Sequence, residues 1–169
     1  MSPNLYTFLK PSKKGVKNLK IMLNENVLYF LIIHVKFSSI FYTSQLSDIF
    51  AYETVGKHNL KKQPLTSKTI LVYNFHNIMF GERFFIFTTK QPFIKSITEM
   101  YPNAAWLERE VSEMHGLNFG GKKDVRNLML QYGDTSSPFR KSYPSIGRKE
   151  MFYDGVNDLI IQSPISIQI

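Results

Sequence analysis

From Asn118 to Ile169 the chain is broken repeatedly by Gly120, Gly121, Gly133, Pro138, Pro144, Gly147, Gly155 and Pro164. Only Val125 to Leu130 leaves room for a helical turn or two. Structureless segments beyond about 12–15 residues are uncommon in a compact domain unless they are disordered or functional. Disorder suits this one poorly, because Leu117, Phe119, Leu128, Leu130, Tyr132, Phe139, Tyr143, Ile146, Phe152 and Tyr153 supply apolar anchors. At the far end Leu159, Ile161, Ile165, Ile167 and Ile169 mostly alternate with other residues, and Ile160 thickens the run. Left free, such a stretch presents an aggregation-prone edge. Residues 117–169 are therefore expected to form a long, extended and largely irregular segment docked on a partner. An ordinary interface of about 1,600 Å² is within its reach.

Just before this segment stands a short charged helix. Pro102 suits a first helical turn and Gly116 suits the position after a last one. Ala104, Leu107, Val111 and Met114 recur at intervals of three and four and predict the apolar face. Trp106, Arg109, Glu110 and Glu113 fall on another face, with Arg109 and Glu113 close enough to pair. A catalytic carboxylate pair is disfavoured on geometry. Glu108 and Glu110 point about 200° apart at the helical angle per residue. Glu110 and Glu113 share a surface, but Arg109 beside them favours the ionised form of both. No Glu-x-x-His spacing suggests a carboxylate-bridged metal pair, and His115 lies off the face of Glu110, which disfavours a hydrolase.

Upstream, residues 1–26 form a basic arm with Lys10, Lys13, Lys14, Lys17 and Lys20. It contains no arginine and no small-residue cleavage site, so an import presequence is not evident. Val27 to Val35 (VLYFLIIHV) is apolar throughout but about half the ~20 residues that a membrane span requires. A buried central strand is expected there. Ser38 and Ser39 are suitable caps for a helix through Ile40, Phe41, Tyr42, Gln45 and Leu46. Ile49 to Val55 reads as a second strand, followed by a basic loop around Pro64. Ile70 to Phe80 and Arg83 to Thr89, separated by Gly81-Glu82, read as a hairpin. The order strand, helix, strand, hairpin, helix predicts an α+β domain over residues 27–116, one mixed sheet covered by helices.

Several chemistries are excluded or weakened by residue type. Without cysteine the chain can form no disulfide and hold no thiolate-ligated cluster. His34, His58, His76 and His115 show no metal-ligand spacing. Gly120-Gly121-Lys122-Lys123 lacks the spacing of a phosphate-cradling loop. No catalytic, cofactor-binding or metal-binding residue is expected. The formal charge of +8 raises the alternative of a basic RNA-binding or organelle-ribosome-associated protein. Its lysines lie in arms and loops, and the apolar tail counts against it. Lysine outnumbers arginine 16 to 5, a bias that AT-rich codons, as in some organelle genomes, would supply.

The run Trp106-Leu107-Glu108-Arg109-Glu110, then Glu113, Gly116 and Phe119, resembles the signature of a known family. That family is the 30-kilodalton-type subunit of proton-pumping NADH:quinone oxidoreductase, respiratory complex I (mitochondrial subunit 9 and its bacterial counterparts). The similarity continues through Asp124-Val125-Arg126, Leu128, Tyr132-Gly133, Pro138, Arg140-Lys141, Tyr143-Pro144 and Tyr153-Asp154. Departures occur at His115, Asn127, Gln131, Asp134 to Ser137 and Ser142. The resemblance implies a non-catalytic structural and assembly subunit of the peripheral arm. It binds no cofactor itself; FMN and iron–sulfur clusters belong to other subunits. The implied partner is chiefly the 49-kilodalton-type quinone-site subunit, over which the C-terminal segment is draped. The implied location is the matrix side of the mitochondrial inner membrane, with indirect membrane association and no nucleic acid. Candidate interface residues on this reading are Trp106, Glu108, Arg109, Glu110, Glu113, Arg126, Tyr132, Arg140, Lys141, Tyr143 and Pro144.

Overall fold

A computed structural model describes residues 25–38, 44–55, 67–79, 81–89 and 93–166. Helix α1 (Glu25–Phe37) leads into strands β1 (Ser44–Val55), β2 (Ser67–Asn77) and β3 (Glu82–Thr89). Short strand β4 (Ile94–Lys95), helix α2 (Ala104–His115) and short strand β5 (Phe119–Gly120) follow, and β6 (Lys149–Asp154) and β7 (Leu159–Pro164) close the described chain. The α+β class holds, but the strands do not join in one mixed sheet. They form an antiparallel β1–β2–β3 sheet, a parallel β4–β5 pair and an antiparallel β6–β7 hairpin.

The apolar run at Val27–Val35 is helical, not a central strand. Leu28, Leu31, Ile32 and Val35 are buried while Phe30, His34 and Phe37 are exposed. That is a helical stripe hidden in a segment whose exposed face is also largely apolar, where uniform apolarity cannot separate helix from strand. The helix expected from Ser38 and Ser39 is likewise not found where it can be checked. Residues 39–43 lie outside the described part, and Gln45 and Leu46 belong to β1. The basic N-terminal arm through residue 24 and the loop around Pro64 also lie outside it.

One irregularity turns β1 inward. Leu46 pairs with Phe75 and Asp48 with Asn74, leaving Ser47 as an extra residue in a bulge. That bulge puts both Leu46 and Ile49 on the core face although they are three residues apart. Across the sheet Tyr73 pairs with Ile49 and Ile86, and Phe75 with Leu46 and Phe84. The Phe75 and Phe84 rings stack with centroids 5.2 Å apart, and Tyr101 meets Phe75 edge-on at 5.4 Å. The hairpin expected at Gly81-Glu82 is present, with Asn77 paired to Glu82 and Gly81 at φ 63.

Helix α2 crosses between the parallel strands β4 and β5, the connection that a parallel pair requires. Ile94 N–H donates to Asn118 C=O at 3.0 Å, and Ser96 N–H to Gly120 C=O at 2.8 Å. A Cβ at Gly120 would meet the Phe93 ring at 1.8 Å. The Phe93 ring lies directly on Gly120 and would have to swing aside for any side chain there. The buried face of α2 is Ala104, Glu108, Val111 and His115, one step around from the expected stripe. Leu107 and Met114 sit at its margin, half-buried. After Gly121 no regular element forms until Lys149, so Val125–Leu130 is not helical. Beyond it regular structure returns as the β6–β7 hairpin.

Candidate functional site

Helix α2 organises the segment that follows it, chiefly with the charged side chains of Arg109 and Glu113. Glu108 is fully buried and accepts from Ser96 Oγ at 2.7 Å and Ile97 N–H at 2.9 Å. Its carboxyl is pushed up by burial, against the pull of those two donors and the nearby Lys122 ammonium. Lys122 itself donates to the Glu108 backbone C=O at 3.0 Å and lies over the Phe119 ring. Tyr73, fully buried, has its hydroxyl raised first by burial and then by the Glu108 charge.

Arg109, next in the helix, and Glu113, one turn beyond it, take hold of the following loop by opposite ends of its peptide groups. Arg109 donates to the carbonyls of Arg126 at 2.8 Å and Asn127 at 3.2 Å, and lies 3.4 Å from the Asp124 carboxylate. Glu113 accepts from three successive amides, Leu128 at 2.9 Å, Met129 at 2.6 Å and Leu130 at 3.3 Å. These bonds explain why Val125–Leu130 does not coil. Backbone groups that a helix would pair internally are claimed by α2. Asn127 adds a clasp, donating to the carbonyls of Gln131 at 2.9 Å and Asp134 at 3.0 Å.

The C-terminal end of α2 is finished from farther along the chain. Gly116 takes the left-handed conformation at φ 63, which glycine adopts without the steric cost of a Cβ. Phe139 N–H donates to Met114 C=O at 3.0 Å, and the Arg140 guanidinium donates to His115 C=O at 3.0 Å and Gly116 C=O at 3.5 Å. A cation on the last carbonyls also complements the helix dipole. Lys141 N–H donates to the Glu53 carboxylate of β1. His115 is buried edge-on to Phe139, and burial lowers its pKa.

The candidate residues thus divide. Glu108, Arg109, Glu113 and Arg140 are brought together as internal fasteners along α2. Trp106 and Tyr132 are exposed, as are Val125 and Met129 of the same loop and Phe139. Arg126 grips Asp124 at 2.8 Å on the surface. Tyr143 lies beneath the Arg148 guanidinium, and Pro144 C=O receives Gly147 N–H. Glu110 takes no part in this network. Sequence reasoning passed over Ser96, Asn127 and Glu53. Asn127 had a trace, since it is one of the departures from the family pattern, and two others, Gln131 and Asp134, are its backbone partners.

Along the loop that follows α2 the backbone is held from within while Val125, Met129 and Tyr132 are turned outward. Among the described residues no group of acidic and histidine side chains could hold a metal, and no helix is long and apolar enough to cross a membrane. The chain belongs to the family described as respiratory-chain NADH dehydrogenase, 30 Kd subunit, whose pattern matches residues 24–149. It is 35% identical over 115 residues to NADH-ubiquinone oxidoreductase subunit 9 of Paramecium primaurelia, covering 66% of this chain and 55% of that protein. Against subunit 9 of Acanthamoeba castellanii the identity is 29% over 157 residues, 92% of this chain and 80% of that protein. The match thus spans little more than half of the Paramecium protein. In fold the chain is similar to one in the membrane-bound sulfane sulfur reductase, an archaeal respiratory membrane complex. There the TM-score is 0.55 at 15% identity, over 80% of this chain and 76% of the other. The family match lends no support to the RNA-binding alternative.

Proposed function

We propose that this chain is a structural and assembly subunit of the peripheral arm of a proton-pumping NADH:ubiquinone oxidoreductase, with no active site of its own. Its C-terminal half would lie on the 49-kilodalton-type quinone-site subunit, on the matrix side of the mitochondrial inner membrane. Electron transfer from NADH to ubiquinone would run through FMN and iron–sulfur clusters in other subunits. A chain without cysteine cannot supply thiolate ligands to such clusters. The observation that carries this reading is the loop 124–134. Its amides and carbonyls are fastened by Glu113, Arg109 and Asn127, while Val125, Met129 and Tyr132 stand exposed. A rigid loop that turns its apolar side chains to water is preorganised for a partner.

The test is affinity purification of the tagged full chain from its native membranes, followed by identification of what accompanies it. Quinone-site subunits of the oxidoreductase should co-purify with NADH:quinone activity. A chain recovered alone, or with ribosomes, would refute the assignment.

A further inference from the structure

The β6–β7 hairpin lies almost wholly past the family-matched residues, and no other element of the described chain packs extensively against it. Its register sorts the side chains onto two faces, since directly paired residues share a side. Tyr153 pairs with Ile160 and Met151 with Gln162 on one face; Phe152 pairs with Ile161 and Asp154 with Leu159 on the other. Both faces carry exposed large apolar side chains. Met151 is 72% and Ile160 75% exposed on the first, and Phe152 is 50% and Leu159 57% exposed on the second. A solvated hairpin ordinarily keeps one polar face, and an isolated one is marginally stable at best.

We infer that this hairpin inserts edgewise into a cleft of a neighbouring subunit, with one apolar wall against each face. The inference rests on the assignment of the chain to a multisubunit complex and adds what kind of surface receives it. Area favours two walls over one. One face alone offers few exposed large apolar side chains, Met151, Tyr153 and Ile160 on the first and Phe152 and Leu159 on the second, against the ~800 Å² per partner of a standard interface; the two together come nearer to it. A second copy of this chain is a poor occupant. Stacking one hairpin face on the same face of another closes a twofold pair but leaves the opposite apolar side chains of each copy exposed. The tip sets the chemistry of the cleft floor. It carries Asp154 and Asp158, with Val156 exposed between them, while Arg148 and Lys149 stand at the open end. The floor that meets the tip is therefore basic, and the rim acidic.

Adjacent positions on opposite faces provide the test. Because the chain has no cysteine, Met151→Cys and Phe152→Cys each place a single thiol in it, one per face. Each variant is incorporated into the intact complex and labelled with a maleimide, with the same complex after denaturation as reference. The chain's own band is then read. Both thiols should react at least about tenfold more slowly in the intact complex, because labelling requires local opening. Protection at one position only would overturn the two-walled cleft in favour of one-sided docking, and reaction at both at the denatured rate would overturn docking of the hairpin altogether. Protection in the isolated chain at doubled mass would assign the surface to self-association and overturn the inference. A chain missing from the purified complex would instead refute the subunit assignment, and this inference with it.

Discussion

Glu108 is a fully buried carboxylate, held by one amide and one hydroxyl. Removing it strands Ile97 N–H in the interior, and an unsatisfied buried donor costs about 1–3 kcal/mol. Glu108→Ala should therefore lower unfolding stability by about 2 kcal/mol, read as a shift in the urea midpoint of the full chain. Charge adds a pH dependence with a definite sign. Burial raises the Glu108 carboxyl above its ordinary value, so the folded chain binds that proton more tightly than the unfolded chain does. Its contribution to stability is complete below the ordinary carboxylate range and is lost as pH rises through the elevated folded value. Glu108→Gln keeps an acceptor for Ile97 and can donate to Ser96 Oγ, but does not titrate. The variant should lose less stability than the native chain as pH is raised toward neutrality. Equal slopes would show that the carboxylate is not the group responsible. Arg140 makes a related point. The family resemblance marks it as a docking charge, yet its guanidinium is spent on the carbonyls that end α2.

At the scale of elements, the joint after α2 and the loop beyond it make separate demands. A Cβ at Gly116 would stand 2.8 Å from Ser137 Oγ and 2.9 Å from Arg140 Nη2, in a left-handed conformation. Gly116→Ala should cost about 2 kcal/mol, combining the left-handed penalty with crowding of the cap, measured as a lowered thermal midpoint. Glu113→Ala should act elsewhere. Amide exchange at Leu128, Met129 and Leu130 should quicken by about tenfold or more, with exchange in β2 unchanged. Slow exchange retained in that loop would mean that the carboxylate is not what orders it. These elements also show which structure could be read from residue order. The β2–β3 hairpin and the C-terminal limit of α2 were legible because Gly81 and Gly116 act locally, whereas the helix begins at Ala104, two residues past Pro102. Helix α1 was not, because its exposed Phe30 and Phe37 hide the period that burial obeys. The buried face of α2 was misjudged because Glu108 counts as polar until its partners in the 96–97 turn are known. No local pattern marks the loop 124–134 as non-helical, since the groups that prevent coiling come from a helix earlier in the chain.

Across the whole molecule, an antiparallel sheet and two helices enclose one apolar core, and a second half is pinned to it by a few polar fasteners. The first half supplies stability, and the second presents the loop 124–134 and the β6–β7 hairpin outward. On the proposed assignment neither half touches the reacting cofactors, so damage to the docking half should change how much complex exists and not how fast each complex works. The direct measurement is NADH:quinone turnover per assembled complex, beside complex abundance on native gels, for Glu113→Ala, Met129→Glu and a hairpin variant carrying Met151→Glu with Ile161→Glu. Abundance should fall severalfold while turnover per remaining complex stays at the native value. Complex at full abundance with turnover lost would contradict the scaffold account and place this chain in the reaction itself.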